Sequence, residues 1–309
     1  MGAAKPGFKS GFVALLGKPN VGKSTLLNRL VGTKVAIVSE KPQTTRHRIV
    51  GVLTTKGAQL IFLDTPGIHS PKHALGEYMV EAATEAAKEA DVVGMVVDGS
   101  APPDADDLRV ARVVKAVRKP SVLIVNKVDL LREEEVPPRM EEYSALADFD
   151  REIDVSALVG HHIEELKKIL IDFLPEGPPL YPTDQKADVD ENLMIEEIIR
   201  EKILERTYQE VPHSVAVVVE ERRPGADGKT EYISATIFVE KPGQKGIIIG
   251  KGGKMLKSIG TAARKDIEEL LGKPVYLELW VKVREKWRKD ESWLQQFGYF
   301  VRRRRRKRE

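Results

Sequence analysis

Gly17-Lys18-Pro19-Asn20-Val21-Gly22-Lys23-Ser24 is the stretch on which the reading of this chain turns. It fits the spacing G-x-x-x-x-G-K-[ST], follows the apolar run 12–16, and opens a helical pattern over 23–31. In a strand–turn–helix of this kind, backbone N–H groups of the loop 17–22 curl around phosphate oxygens. The helix N-terminus adds favourable dipole charge. Lys23 then reaches the β- and γ-phosphates, and Ser24 serves Mg²⁺. Thr25 is placed to meet the α-phosphate.

Outward from this loop, apolar runs at 12–16, 49–53, 60–63, 92–97, 122–125 and 153–155 alternate with helical patterns. The helical stretches are 23–31, 75–88, 104–117 and 161–174. Such alternation predicts an α/β domain, a mostly parallel sheet with helices on both faces. Ligands on such sheets sit beyond the C-terminal strand ends, so the chemistry belongs in the loops there.

Three of those loops carry chemistry. Asp64-Thr65-Pro66-Gly67 follows the run 60–63. Its Asp can hold the Mg²⁺ shell, and its Gly can offer an N–H to a γ-phosphate, a contact that exists only in the triphosphate state. Asn126-Lys127-Val128-Asp129 follows the run 122–125. Asp129 can accept hydrogen bonds from the N1–H and exocyclic amine of guanine. Adenine offers neither donor there, so a site built on these bonds discriminates by about 10⁴-fold or more. Ser156-Ala157-Leu158 comes after the last run and can close over the base. Each motif alone fits an ordinary turn; three in order, each after a strand, do not.

Together these loops resemble the Ras-like GTPase superfamily over residues 11–175. Within it, Pro19-Asn20 and Pro42-Gln43-Thr44-Thr45-Arg46-His47-Arg48 resemble the Era branch of bacterial GTPases. The resemblance implies GTP and GDP as ligands and Mg²⁺ held by Ser24, Thr45 and Asp64, with Lys23, Thr45 and Gly67 acting on the γ-phosphate. Thr45 is favoured because the Thr directly before Arg is the usual position; Thr44 is the alternative. Ile68 stands where Ras-type members place a water-orienting Gln. Turnover near the unassisted Ras range, about 10⁻⁴ to 10⁻³ s⁻¹, is therefore expected. K⁺ held near Asn20 is a further expectation from related members.

Residues 176–190 are rich in proline and weakly periodic, and read as a linker after an N-terminal extension, 1–10, and the GTPase domain, 11–175. Beyond it the pattern is a helix at 192–208, strands at 213–221 and 231–241 about a turn at 225–229, a glycine-rich then helical stretch at 250–271, and a strand at 275–284. The order is α-β-β-α-α-β if the glycine loop splits the helical region. Gly250-Lys251-Gly252-Gly253 fits G-x-x-G, after Ile247-Ile248-Ile249 and before a helix. This looks like a C-terminal α+β type II KH domain over 191–285. Such glycine loops clamp about four nucleotides of RNA. The resemblance places Ile248, Ile249, Gly250, Lys251, Gly252, Gly253, Lys254 and Lys257 at the RNA. Trp280, Trp287 and Trp293, with Arg284, Lys286, Arg288 and Lys289, are candidates for stacking and charge, core packing being the other reading of the tryptophans. A Ras-like domain before a type II KH domain is the architecture of Era-type proteins. It implies binding near the 3′ end of small-subunit ribosomal RNA and assistance in assembling the small ribosomal subunit; separately, a monomer is expected.

Charge supports a polyanionic partner. Residues 241–309 hold 20 Lys and Arg against 8 Asp and Glu, a net +12, whereas residues 1–240 carry −9. A basic C-terminal quarter on an acidic body favours nucleic acid. The segment 286–309 ends in the basic run Arg302–Arg308, to which no specific role is assigned. Docking of this quarter on anionic lipids, with peripheral membrane association, is one alternative. An RNA-binding module whose nucleotide is only structural is another; the intact Lys23, Ser24, Asp64, Asn126 and Asp129 set argues against it. No run reaches the roughly 18 apolar residues of a membrane span. Residues 1–11 hold no apolar signal-peptide core, and Pro6 breaks the myristoylation pattern. With no cysteine, disulfides and thiolate chemistry are excluded. A cytoplasmic protein is expected.

Overall fold

The computed structural model describes residues 7–39, 41, 44–209 and 211–299. Pro42 and Gln43 of the loop before Thr44 lie outside the described residues, as does the run Arg302–Arg308. The chain divides into two compact units, Met1–Pro71 with Met79–Val189 and Lys72–Tyr78 with Asp190–Glu309.

The first unit runs β1 (Lys9–Leu16), α1 (Lys23–Val31), β2 (Ile49–Thr54), β3 (Ala58–Asp64), α2 (Ala74–Glu89, of which it holds the part from Met79 onward), β4 (Val92–Asp98), α3 (Ala105–Val117), β5 (Ser121–Asn126), α4 (Val136–Ser144), β6 (Arg151–Asp154) and α5 (Ile163–Phe173). The six strands lie in the order β2-β3-β1-β4-β5-β6. Only β2 is antiparallel to its neighbour. Each strand points successive side chains to opposite faces. Val13 and Leu15 of β1 therefore join Leu26, Leu27 and Leu30 of α1 and Leu166 and Leu170 of α5 on one side. Leu16, with Met95 and Leu123, meets Ala83 and Ala87 of α2, Val110 and Val114 of α3 and Tyr143 of α4 on the other. Full burial of such a side chain stabilises by about 1.5–3 kcal/mol. Two filled faces thus fix where β1, β3, β5 and β6 end, and those ends carry the motif loops.

Three departures from the sequence reading stand out. β1 starts at Lys9, so the sheet takes in the end of the expected N-terminal extension. Helix α4 was not expected; Pro137 and Pro138 interrupt its pattern, yet both sit in its first turn, where no intrahelical N–H is needed. The proline-rich segment after α5 lies along β2. The Val52 N–H donates to the Lys186 carbonyl (2.8 Å) and the Asp188 N–H to the Val50 carbonyl (3.1 Å). Gln59 Oε1 also accepts from the Leu180 and Tyr181 N–H groups (2.7 and 2.9 Å).

The second unit runs α6 (Glu191–Arg206), β7 (Ala216–Pro224), β8 (Glu231–Val239), α7 (Pro242–Ile249), α8 (Lys254–Leu271), β9 (Val275–Val283) and α9 (Glu291–Gln296). Its sheet is β7-β8-β9, with β7–β8 antiparallel and β8–β9 parallel. The helices bury Ile195, Ile199, Ile203, Ile248, Ile259, Ala263 and Ile267 against Ile233, Ala235 and Ile237. The three isoleucines before the glycine loop thus belong to a helix of their own, α7. Residues 286–299, expected as part of a basic tail, pack into this unit. Trp287 is 0% exposed and its indole N–H donates to the Ser214 carbonyl (2.9 Å). Phe297 lies edge-on to it, ring centroids 5.3 Å apart. Among the described residues, no helix is long and apolar enough to cross a membrane.

Candidate functional site

In the first unit a cavity of about 470 Å³ opens at the strand ends. Pro19, Asn20, Gly22, Lys23, Ser24, Thr25, Thr44, Thr45, Gly67, Asn126, Lys127, Asp129 and Ala157 line it, so five separate segments of the chain meet in one space. Helix α1 has no side-chain cap at its N-terminus, Gly22 standing in the cap position. Its first-turn N–H groups are thereby left for an anion. Buried Lys23 donates from Nζ to the Gly17 and Lys18 carbonyls (3.1 and 3.0 Å). Burial lowers its pKa to about 8, the charge of Asp64 acting the other way. A phosphate in the loop would return the stabilising charge that burial removes.

The metal corner is built from three oxygens. Ser24 Oγ donates to Asp64 Oδ2 (2.7 Å) and lies 2.8 Å from Thr45 Oγ1, which is itself 3.5 Å from Asp64 Oδ2. Asp64 is fully buried, and its Oδ1 has no hydrogen-bond partner among the described residues. Burial pushes its carboxyl up, while Lys23, Ser24 and Thr45 hold it down. Two hydroxyls and a carboxylate, with one carboxylate oxygen unspent, fit a hard divalent cation such as Mg²⁺. Thr45 rather than Thr44 joins this set; the Thr44 hydroxyl donates to the Lys41 carbonyl (2.6 Å).

Gly67 lies against the phosphate loop. A Cβ there would stand 2.6 Å from Pro19 N and 2.8 Å from Pro19 Cα. His69 Nδ1 is 2.9 Å from the Gly67 carbonyl oxygen. Ile68 is buried in the core, so its side chain is absent from the cavity.

At the far end, Asn126 ties two loops together. Its Nδ2 donates to the Val21 carbonyl (2.8 Å) and its Oδ1 accepts from the Ala157 N–H (3.0 Å). The Ser156 hydroxyl donates to Asp129 Oδ1, leaving Asp129 lining the cavity where a base edge would sit. Lys127 Nζ is held by Asp98 (2.6 Å).

Several expected contact residues serve from behind instead. The Thr65 hydroxyl is spent on the Leu15 carbonyl (2.7 Å), and Thr65 is fully buried. Pro66 is buried too, and Val21 and Val128 pack into the two core faces. Lys18 turns its ammonium to Asp104 and Asp107 of the α3 start (2.8 and 2.7 Å), so only its backbone faces the loop. Conversely, Asp98, Asn28 and Arg29 escaped the sequence reading. Asn28 Oδ1 accepts from the Val35 and Ala36 N–H groups (2.8 and 2.9 Å), fixing the chain that leads toward Thr45. Arg29 donates to the Ala157 carbonyl (2.9 Å). Only Asp98 had a sequence signal, an acidic residue at a strand end.

In the second unit Gly250, Lys251, Gly252 and Gly253 join α7 to α8. A Cβ on Gly250 would meet Met255 Cβ at 2.6 Å, so the turn closes only around glycine. Beside it runs a groove lined by Gly253, Leu256, Lys257, Gly260, Thr261, Arg264, Tyr276, Leu277 and Leu279. Lys251 and Lys254 are exposed in and just after the glycine loop, and Lys257, also exposed, lines the groove itself. Ile248, expected on the groove wall, is 0% exposed and belongs to the core; Ile247 is the outward residue, at 51%. Ile249 is half-buried. Among the tryptophans, Trp280 is 55% exposed, Trp293 stacks under Arg284 (4.9 Å) and Trp287 is core. Arg288 is paired to Glu240.

Fold and site together define a P-loop GTPase joined to a KH domain. Residues 12–127 match the family model described as 50S ribosome-binding GTPase, and residues 210–288 match the KH domain model. Two solved structures align over 95% of this chain and 100% of theirs, at 43% identity and TM-score 0.92. One is Era in complex with MgGDPNP and nucleotides 1506–1542 of 16S ribosomal RNA. The other is a point variant of Aquifex aeolicus Era bound to GDP·AlF4⁻. The chain belongs to the Era family of GTPases.

Proposed function

We propose that this protein binds GTP with Mg²⁺ in the first unit and hydrolyses it slowly. We infer that its nucleotide state governs binding of the 3′ region of small-subunit ribosomal RNA by the second unit, in assembly of the small ribosomal subunit in the cytoplasm. The observation that carries the reading is one cavity lined by Lys23, Ser24, Thr45, Gly67, Asn126, Asp129 and Ala157, with the Asp64 carboxylate hydrogen-bonded to Ser24 beside it. When bound, Mg²⁺ neutralises charge on the β- and γ-phosphate oxygens. Lys23 adds a desolvated positive charge on the same oxygens. Gly67 N–H and Thr45 hold the γ-phosphate end, so both loops relax once it leaves. Asp129 accepts from guanine N1–H and its amine, which selects GTP over ATP. Ile68 holds no water, so hydrolysis rests on positioning and charge alone. K⁺ beside Asn20, which lines the cavity, would add positive charge; faster turnover in potassium than in sodium buffer supports it, and equal rates remove it.

The groove with Lys257, and the glycine loop with the exposed Lys251 and Lys254, support single-stranded RNA as the second ligand. The test is affinity for an RNA of 16S nucleotides 1506–1542 with GDP and with a non-hydrolysable GTP analogue, at one fixed salt concentration. Coupled sites typically differ by about 1–3 kcal/mol, or about 5- to 150-fold. Tighter binding in the GTP-analogue state is expected. Equal affinities would leave two independent binders and end the switch reading.

A further inference from the structure

Outside the nucleotide cavity and the RNA groove, one cluster has no part in either. Asp154 ends β6, and His161 and His162 lead into α5. Asp154 Oδ2 lies 3.2 Å from His161 Nε2 and 3.3 Å from His162 Nδ1. His162 Nδ1 is also 3.1 Å from the Asp154 carbonyl oxygen. That carbonyl sits on the outer edge of β6, because the next residue, Val155, turns its N–H inward to the Val125 carbonyl (2.8 Å). The imidazole rings lie close and tilted, centroids 3.7 Å apart and planes at 36°. His162 holds this position at φ 52°, a left-handed conformation that a residue with a Cβ rarely adopts.

We propose that Asp154, His161 and His162 form a binding site for a divalent transition metal, Zn²⁺ by preference. A tetrahedral Zn²⁺ with bonds of about 2.0–2.1 Å has ligand–ligand edges of about 3.3–3.4 Å. The two carboxylate–imidazole spacings, 3.2 and 3.3 Å, match those edges to within about 0.2 Å, and the His162 Nδ1–carbonyl spacing of 3.1 Å to within about 0.3 Å. The chemistry agrees: two imidazole nitrogens and a carboxylate oxygen suit Zn²⁺, Ni²⁺ or Cu²⁺ and disfavour Mg²⁺, which wants oxygen alone. With its proton on Nε2, His162 leaves the Nδ1 lone pair for a metal, and Nδ1, His161 Nε2 and the carboxylate oxygen all lie within 4.8 Å of one another. The Asp154 carbonyl supplies the fourth ligand, an oxygen. All three side chains are partly open to solvent, so a metal has a path in.

The site also has a consequence for the neighbouring loop. Ser156 N–H donates to the His161 carbonyl (3.2 Å), closing the turn that carries Ser156 and Ala157. A metal clamping Asp154 to His161 and His162 pins both ends of that turn and braces the cover over the base. This bracing rests on the nucleotide reading above; the metal site does not.

The experiment uses the full chain loaded with GDP and Mg²⁺, so that the nucleotide corner is filled. Zn²⁺ is titrated by calorimetry, and Co²⁺ is added as a visible-absorbing stand-in. The variants are Asp154→Asn and His162→Gly, glycine being free to keep the left-handed backbone, with His73→Ala as control. One Zn²⁺ per chain and tetrahedral Co²⁺ absorption are expected for the wild type and the control, with at least about ten-fold weaker binding in both site variants. No stoichiometric uptake, or uptake equal in all four proteins, overturns the site. Release of a fluorescent GDP should slow with Zn²⁺ in the wild type but not in His162→Gly. Zinc uptake with unchanged release overturns the bracing while leaving the metal site standing.

Discussion

Replacing Gly67 with alanine should separate GTP from GDP. The added Cβ falls 2.6 Å from Pro19 N and 2.8 Å from both Pro19 Cα and Cγ. Ordinary carbon contacts need about 3.5 Å, so the two loops must part by about 0.7–0.9 Å. Two of the three obstructing atoms are backbone, and Pro19 cannot rotate away. A Gly67 N–H that would reach a γ-phosphate oxygen at about 2.9 Å is then left near 3.6–3.8 Å, beyond hydrogen-bonding range. Hydrogen bonds to charged groups contribute about 1.5–3 kcal/mol. The preference for a GTP analogue over GDP should therefore fall about 10- to 140-fold. GDP affinity should stay within about two-fold, since GDP makes no such contact. The assay is equilibrium titration of fluorescent GDP and of a fluorescent non-hydrolysable GTP analogue, with single-turnover hydrolysis alongside and thermal melting as the folding check. A variant that melts normally and keeps both the wild-type preference and turnover would refute the placing of Gly67 at the γ-phosphate.

Three further substitutions test separate parts of the reading. Asp129→Asn should lower GTP affinity by at least about 100-fold and raise affinity for xanthosine triphosphate, whose C2 carbonyl accepts from the new amide; unchanged nucleotide preference in competition binding would show the base pocket misplaced. Gly253→Asp should weaken RNA binding at least about ten-fold in filter binding and spare GTP binding: a Cβ at Gly253 meets no atom within 4 Å, and Asp tolerates the φ of 77° better than most residues, so the new charge acts alone on the phosphate backbone. Glu196→Gln should flatten the pH dependence of the second unit's stability. Burial, with Glu197 and Asp190 nearby, pushes the Glu196 carboxyl up to about 7 from 4.5, against the Val219 N–H it accepts. The folded state thus holds a proton that the unfolded chain has lost, so stability is full below about 4.5 and falls as pH rises toward 7, by up to about 3 kcal/mol. Parallel melting profiles for wild type and variant from pH 5 to 8 would exclude this.

The nucleotide loops were legible because each is contiguous and each follows an apolar run. What the sequence could not convey is convergence. Ser24, Thr45 and Asp64 lie on three segments, and only the fold brings their oxygens within 3.5 Å. Lys18 illustrates the limit within a motif: its position belongs to the phosphate loop, while its charge belongs to α3. Ile247-Ile248-Ile249 shows another. Three apolar residues in a row carry no phase, so nothing marks the middle one as the core residue until α7 is seen packed. Composition misled at the proline-rich segment, because polar, aperiodic sequence reads as free chain even where its backbone is paired.

That pairing has a consequence for the sheet's borders. A strand at a border presents unpaired N–H and C=O groups that recruit other chains, and proteins blunt such borders. β6 ends its side of the sheet after only four residues, Arg151 and Glu152 among them exposed. β2 has no such defence of its own: its six residues include Val50 and Val52, and its outward groups at Val50 and Val52 are satisfied by Asp188 and Lys186. The segment 176–189 is thus the selvedge of the GTPase sheet. A chain cut at residue 175, where composition suggests the domain stops, would bare a sticky border and should self-associate. One cut at residue 189 keeps the border sewn and should stay dispersed.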